Sequence, residues 1–250
     1  MYDLIYGIHA IQSMLDNHPK QILCVYVMCR HKDKRVKLLI EQIKKNKINI
    51  YECNRKKINY QAGHDSHQGI IAKINRYSYM RENNLSNFLM QCKTPPLLLV
   101  LDRITDPHNL GACLRSAGAA GVHIVIVPRN HSVNINATVR KVASGAADHV
   151  PFMPVTNLSR TLKLLQKHDI CVIGTEITSK RFVFDTNLIG PLAFVMGSEG
   201  YGMRRLTKKN CNALISIPMM GLTKSLNVSV ATGICLFEAL RQRKLYKEFL

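Results

Sequence analysis

Apolar residues recur along this chain with two periods, and the alternation lays out its elements. Ile8, Ile11, Met14 and Leu15 keep helical spacing until Asn17-His18-Pro19 stops them. The run 21–28 reads as a strand. Residues 35–45 form an amphipathic helix with Val36, Leu39, Ile40 and Ile43 inward and lysines outward, and 48–53 and 70–74 are further strands. These elements make a small α/β module over residues 1–75. Polar residues then dominate to Thr94-Pro95-Pro96, whose two prolines stiffen the entry to the next strand, so a linker is placed at 76–95, with room for a short helix over 85–91. From Leu97 onward strands and helices alternate: strands at 97–103, 123–128, near 149–151, 170–174, 192–196 and 213–217, and helices at about 109–119, 136–144, 157–168, 202–209 and 226–246. Such alternation predicts an α/β domain over 96–250, built on a mostly parallel sheet with helices on both faces.

Charge changes the picture most. The 250 residues carry a formal net charge of +19, spread over both halves. Residues 1–94 hold 16 Lys and Arg against 7 Asp and Glu, and residues 95–250 hold 19 against 9. A polyanion partner follows, because each neutralised phosphate releases counterions; nucleic acid is favoured over an acidic membrane, since no basic amphipathic helix stands out. No apolar run approaches the roughly 20 residues that cross a bilayer. The start has no basic segment leading into an apolar one, so the cytoplasm is the expected location. Eight cysteines are scattered without a CxxC pair, which argues for reduced, buried thiols and against a structural metal.

Candidate chemistry lies in three segments, each an apolar strand breaking into a polar or Gly-rich turn: Leu97–Ile104 leading to Asn109 and Arg115, Leu192–Met196 leading to Gly197-Ser198-Glu199-Gly200, and Leu214–Pro218 leading to Ser225-Leu226-Asn227. Loops at strand ends are where α/β sheets place ligands. There is no Walker A sequence and no GxGxxG, which excludes an ordinary dinucleotide or P-loop site.

The order Asn/Arg, then Glu, then Ser/Asn resembles the three signature motifs of the SpoU (TrmH) family of RNA ribose 2′-O-methyltransferases, in the SPOUT class. Ile5–Ala10 and His67–Ala72 resemble the two ends of that family's N-terminal substrate-binding domain, so the likeness covers nearly the whole chain. The resemblance implies a ribosomal-protein-like RNA-binding domain, followed by a SPOUT domain with a deep trefoil knot that binds S-adenosylmethionine. It implies methyl transfer to a guanosine ribose in 23S rRNA, either free or in an assembling large subunit. A homodimer is implied too, with one protomer helping to form the other's site. By the same likeness Asn109, Arg115, Glu199, Ser225 and Asn227 form the catalytic set, while Gly197, Ile217 and Leu226 surround the cofactor, and no metal is needed.

Plainer roles are open to each of these residues. Asn109 would serve as a helix cap, Arg115 as a surface charge, Glu199 as a cap for the helix near Gly202, and Ser225 or Asn227 as the N-cap of the last helix. Arg115 is surrounded by small residues, where a solvated role is less natural. Its guanidinium stays protonated, so it suits stabilisation of a developing alkoxide better than proton abstraction. His108 reads as turn chemistry or an RNA contact rather than a base. Lysines at 32–37, 44–47 and 55–57 are phosphate contacts or solvated faces, and Tyr51, Tyr60, Tyr77 and Tyr79 are candidates to stack on bases. Two rivals keep the fold: a tRNA ribose methyltransferase, and a non-catalytic ribosome-assembly factor, which predicts decay in the catalytic set.

Overall fold

The computed structural model describes residues 2–29, 33–63, 67–75 and 79–248. Lys32, Arg76 and Tyr77 lie outside the described residues. In chain order the elements are β1 (Tyr2–Tyr6), α1 (Ile8–Asn17), β2 (Ile22–Met28), α2 (Lys34–Lys45), β3 (Asn49–Cys53), α3 (Arg55–Ala62), β4 (Ile70–Asn75) and α4 (Leu85–Met90). Then come β5 (Leu97–Asp102), α5 (Pro107–Ala119), β6 (Ile124–Pro128), α6 (Ala137–Ala143), α7 (Ala146–His149), β7 (Phe152–Val155) and α8 (Leu158–Lys167). The chain finishes with β8 (Cys171–Thr175), β9 (Leu192–Gly197), α9 (Arg205–Lys209), β10 (Ala213–Ile215) and α10 (Val228–Glu248). It divides into two compact units, residues 1–78 with Ile135–Asp148, and residues 79–134 with 149–250.

In the first unit the sheet order is β1-β4-β2-β3, with β4 antiparallel to both neighbours and β2 parallel to β3. One face packs against α1 and α2 through Ile5, Ile11, Met14, Val25, Val36, Leu39 and Ile43. The other is covered at one end, where Ile58 of α3 and Ala137 of α6 meet Tyr6, Cys53 and Ile71. The two family-like segments of this domain meet directly. Gly7, at φ +93°, donates its N–H to the Ile70 carbonyl, and the Gln68 side chain accepts from Ile8 N at 2.9 Å. His67 Nδ1 accepts from Gly69 N at 3.0 Å, which leaves Nε2 to donate to Asn59 Oδ1 at 2.7 Å. A buried ion pair between Arg140 and Asp148 closes the 135–148 segment.

Two elements here escape the hydrophobic pattern. β1 pairs as a strand although Tyr2–Tyr6 has no clean alternation. The basic run at 55–57 opens α3: Asn54 caps it by accepting from Lys57 N, Ile58 is buried, and Gly63 ends it in the left-handed conformation.

The second unit holds an all-parallel sheet, order β10-β8-β9-β5-β6-β7. Its central strands are buried on both faces, as parallel strands in α/β domains are. Leu98, Val100, Ala193 and Val195 face Leu85 and Leu89 of α4 and Leu158, Leu162 and Leu165 of α8. Leu99, Leu101 and Phe194 are buried on the opposite side. There α10 packs on β9 and on α5, where Cys113 and Thr232 lie 3.5 Å apart. The strand expected near 149–151 forms instead at Phe152–Val155, with α7 ending at His149. Pro151 and Pro154 obscured it, and they are tolerated because β7 is an edge strand.

Burial pushes the Cys113 thiol up to about 11 and the Cys235 thiol up to about 12, whereas Cys29 and Cys171 are exposed, so the thiols are not uniformly buried.

Arg243 fixes the end of α10. Its half-buried guanidinium donates to the carbonyls of Pro95, Pro96, Leu188 and Gly190, at 2.6–3.3 Å. Four acceptors spread around one planar fork suit arginine and no other cation. Arg243→Ala is expected to cost about 2 kcal/mol in denaturant unfolding, from carbonyls left without donors. Arg243→Lys should recover less than half of that, and full recovery by lysine would contradict the fork geometry.

Candidate active site

In a parallel sheet all strands end on one edge, and ligands gather in the crevice outside those carboxyl ends. Asp102 and Gly197, the last residues of β5 and β9, are register partners, so the two following loops start side by side. A pocket of about 480 Å³ opens over the ends of β8, β9 and β10. Its wall includes Thr175, Met196, Gly197, Ile215, Ile217 and Leu226, with Glu199, Lys224, Ser225 and Asn227 as polar members. A second pocket of about 190 Å³ lies over the end of β5, lined by Arg103, Thr105, Asp106, Asn109, Glu199 and Tyr201, among others. Ser198, Glu199 and Val228 line both, so the two pockets adjoin.

At that boundary Asn227 organises the polar groups. Its Nδ2 donates to Asn109 Oδ1 at 2.9 Å and to Glu199 Oε1 in a short contact. Its Oδ1 accepts from Ser229 N at 2.9 Å and from Ser229 Oγ at 2.6 Å. Two donors and two acceptor sites are thereby all used, and the amide cannot flip without turning its oxygen toward the Glu199 carboxylate. Asn227 therefore both caps α10 and joins the site; the two expected roles coincide.

The caps differ elsewhere. Asp106, not Asn109, caps α5 by accepting from His108 N at 3.0 Å, with Pro107 in the first turn. That frees the Asn109 side chain for the cluster. Glu199 does not cap α9, which begins at Arg205.

The loop after β9 is shaped by its glycines. Ser198 and Gly202 exchange backbone hydrogen bonds at 3.2 and 2.9 Å, and Gly200 and Gly202 hold positive φ. A Cβ on Gly197 would meet Gly202 Cα at 2.8 Å and come closer still to the Gly202 carbonyl carbon and Met203 N. Beneath the loop Asp102, fully buried, accepts from Arg204 N at 3.0 Å and from Arg204 Nε at 2.9 Å, with Nη2 at 2.8 Å. This pair ties the end of β5 to the end of the Gly-rich loop. It was not among the residues expected from sequence, although an acid closing the apolar run 97–101 was its visible signal. Glu176, on the first pocket's wall, is ion-paired with Lys208.

The structure thus brings together Asn109, Glu199 and Asn227, and sets Ser225, Gly197, Ile217 and Leu226 on the adjoining pocket wall. It does not bring Arg115 to them. Arg115 is exposed on α5 and lines neither pocket. Six residues of helix turn the chain through roughly 240°, so Asn109 and Arg115 face different directions. Among the described residues no cluster of three or more His, Cys, Asp or Glu could hold a metal ion.

A parallel sheet with a largely apolar pocket at its carboxyl edge and an amide–carboxylate cluster at the mouth defines an α/β domain shaped to take an organic ligand beside a polar cluster. The chain belongs to the SpoU rRNA Methylase family, whose model matches residues 96–237. A second model, described as RNA 2′-O ribose methyltransferase substrate binding, matches residues 4–80. It is 54% identical to the 23S rRNA (guanosine-2′-O-)-methyltransferase RlmB of Blochmanniella floridana, over 100% of this chain and 99% of the relative. It is 49% identical to the RlmB of Escherichia coli K12, over 97% of this chain and 100% of the relative. In fold it is similar to the SpoU methyltransferase AviRb of Streptomyces viridochromogenes in complex with the cofactor AdoMet, with TM-score 0.80 and 21% identity over 97% of this chain and 90% of that one. The Aquifex aeolicus TrmH/SpoU tRNA modifying enzyme covers 66% of this chain and 85% of its own, with TM-score 0.57 and 26% identity.

Proposed function

We propose that this chain transfers a methyl group from S-adenosylmethionine to the ribose 2′-hydroxyl of a guanosine in 23S rRNA. The observation that carries the reading is the Asn109–Asn227–Glu199 cluster at the boundary of two adjoining pockets, in a chain about half identical to RlmB enzymes along its whole length. The larger pocket fits the cofactor: its volume lies in the range of small-molecule sites, and apolar residues provide most of its wall. Gly197, Ile217 and Leu226 line its wall, where their backbone groups would read the adenine edge.

Bound there, the cofactor supplies an already activated methyl group, so the protein's task is positioning and charge stabilisation. Transfer would join the ribose oxygen to the methyl carbon as the sulfur–carbon bond breaks, with the sulfonium leaving as a neutral thioether and the hydroxyl proton passing to solvent. Asn109, held by Asn227, lines the smaller pocket and orients the ribose. Glu199, on both pockets, is placed to orient the same groups. Ser225 supports the loop that closes the larger pocket.

Arg115 acts in a homodimer, at the site of the partner subunit, where its permanent charge stabilises the oxygen as it loses its proton. Its absence from the walls of its own chain's pockets supports this. So does an apolar stripe on α10, where Val230 and Phe237 are about half exposed seven residues apart. The trefoil knot of the family belongs to the same reading, with α10 as the element expected to complete it. So do RNA binding by the N-terminal domain and a cytoplasmic location; among the described residues no helix is long and apolar enough to cross a membrane.

Gly197→Ala is expected to push the 197–203 loop off the pocket, at a cost of about 1–3 kcal/mol for overpacking. Calorimetry should then read a roughly tenfold or greater loss of S-adenosylmethionine affinity; unchanged affinity would contradict the placement of the cofactor.

The test of function is methyl incorporation into unmodified 23S rRNA, 16S rRNA and tRNA in parallel. Label in 23S rRNA alone supports the reading. Label in tRNA moves the substrate to the alternative, which the partial coverage by the tRNA enzyme disfavours. Mixed dimers of Arg115→Ala and Asn227→Ala chains should regain activity that neither homodimer has; no recovery would contradict the shared site.

A further inference from the structure

The outer face of the N-terminal sheet is covered by α3 and α6 at one end only. Leu4 and Tyr26 border that covered cluster, and strand register sets them beside Tyr2, Lys73, Cys24 and Tyr51 on one continuous surface. Tyr26 and Tyr51 stack across β2 and β3, with ring centroids 5.4 Å apart and planes 27° apart. The Lys73 ammonium stands 4.6 Å from the Tyr2 centroid and 5.2 Å from that of Tyr26. Tyr2 is 52% and Tyr51 49% exposed, so rings of this size are left half open to solvent.

A cross-strand aromatic pair would stabilise a sheet without any ligand. Charge decides between the readings. The strand acids Asp3 and Glu52 alternate onto the opposite face, so this one carries a cation among aromatic rings and no strand carboxylate. The Tyr26 hydroxyl, as hydrogen-bond partner, holds the Lys73 pKa above the usual lysine value. Open rings with a cation between them suit unpaired nucleotides, whose bases stack while the intervening phosphate meets the ammonium. A duplex buries its base faces and gains nothing from such a surface.

We infer that Tyr2, Tyr26, Tyr51 and Lys73 form a stacking platform for two or three unpaired nucleotides of the RNA substrate. The inference rests on the reading of this chain as an RNA-modifying enzyme and adds the feature it grips: a single-stranded segment of the RNA.

The test uses the full chain, with fluorescence anisotropy of a labelled single-stranded RNA decamer and of its duplex at fixed salt. Tyr51→Ala should weaken single-strand binding roughly tenfold and leave duplex binding unchanged. Tyr51→Phe should bind as the parent does, because the ring and not the hydroxyl acts. Lys73→Met should weaken binding and flatten its salt dependence. Should Tyr51→Ala lower the melting temperature, Tyr2→Ala at the end of the edge strand β1 carries the same expectation. Unchanged single-strand affinity in both variants overturns the platform, as does an equal loss for duplex. Cofactor binding and methyl transfer by the parent chain are scored separately. A chain that methylates 23S rRNA and binds single strands without Tyr51 defeats the platform alone. Tyr51-dependent binding by a chain that transfers no methyl group defeats the enzyme reading alone.

Discussion

Asn227→Ala is expected to lower methyl transfer roughly 100- to 1000-fold, the scale seen when one positioned donor is removed from a reaction centre. The loss should fall mainly on kcat, because Asn227 reaches Asn109 and Glu199 through its side chain. Without it Asn109 and Glu199 both lose the donor that fixes their side-chain oxygens at the boundary of the two pockets. The α10 N-cap is lost as well, at about 1 kcal/mol, which a melting curve separates from the catalytic effect. Asn227→Asp keeps the cap but sets a second carboxylate against Glu199, so it should be as inactive as the alanine variant while melting closer to the parent. An aspartate variant with parental activity would remove Asn227 from the account.

The largest stability effect is expected beneath the site. Arg204→Met leaves Asp102 fully buried with the Arg204 backbone N–H as its remaining partner from the pair. Breaking a buried ion pair from one side costs about 3–5 kcal/mol, here a fall in melting temperature of roughly 10 °C. Asp102→Asn should be milder, because the Arg204 side chain is 40% exposed and can turn to water once the carboxylate charge is gone. The order of the two variants is the test: an asparagine variant less stable than the methionine variant would contradict the burial argument.

The legible parts of this fold are those whose information is local. The runs 97–101 and 192–196 announce buried parallel strands, and the 35–45 stripe announces α2, because period and burial are properties of neighbouring residues. β7 was displaced because Pro151 and Pro154 look like breakers until its place at the sheet edge is known. The candidate site was legible as three motifs in order. Their joining was not, because the Asn109–Asn227 bond spans 118 positions and the Asp102–Arg204 pair spans 102. The direction of Arg115 was hidden for another reason. Six residues look close in sequence, yet on a helix they point apart, and only the placement of the pockets reveals it.

The most direct measurement digests 23S rRNA after reaction with labelled S-adenosylmethionine and identifies the modified nucleoside. The account predicts label in a single alkali-resistant 2′-O-methylguanosine, with initial incorporation roughly 100- to 1000-fold slower in the Asn227→Ala variant. Label on a base, or none in the presence of bound cofactor and 23S rRNA, would contradict it.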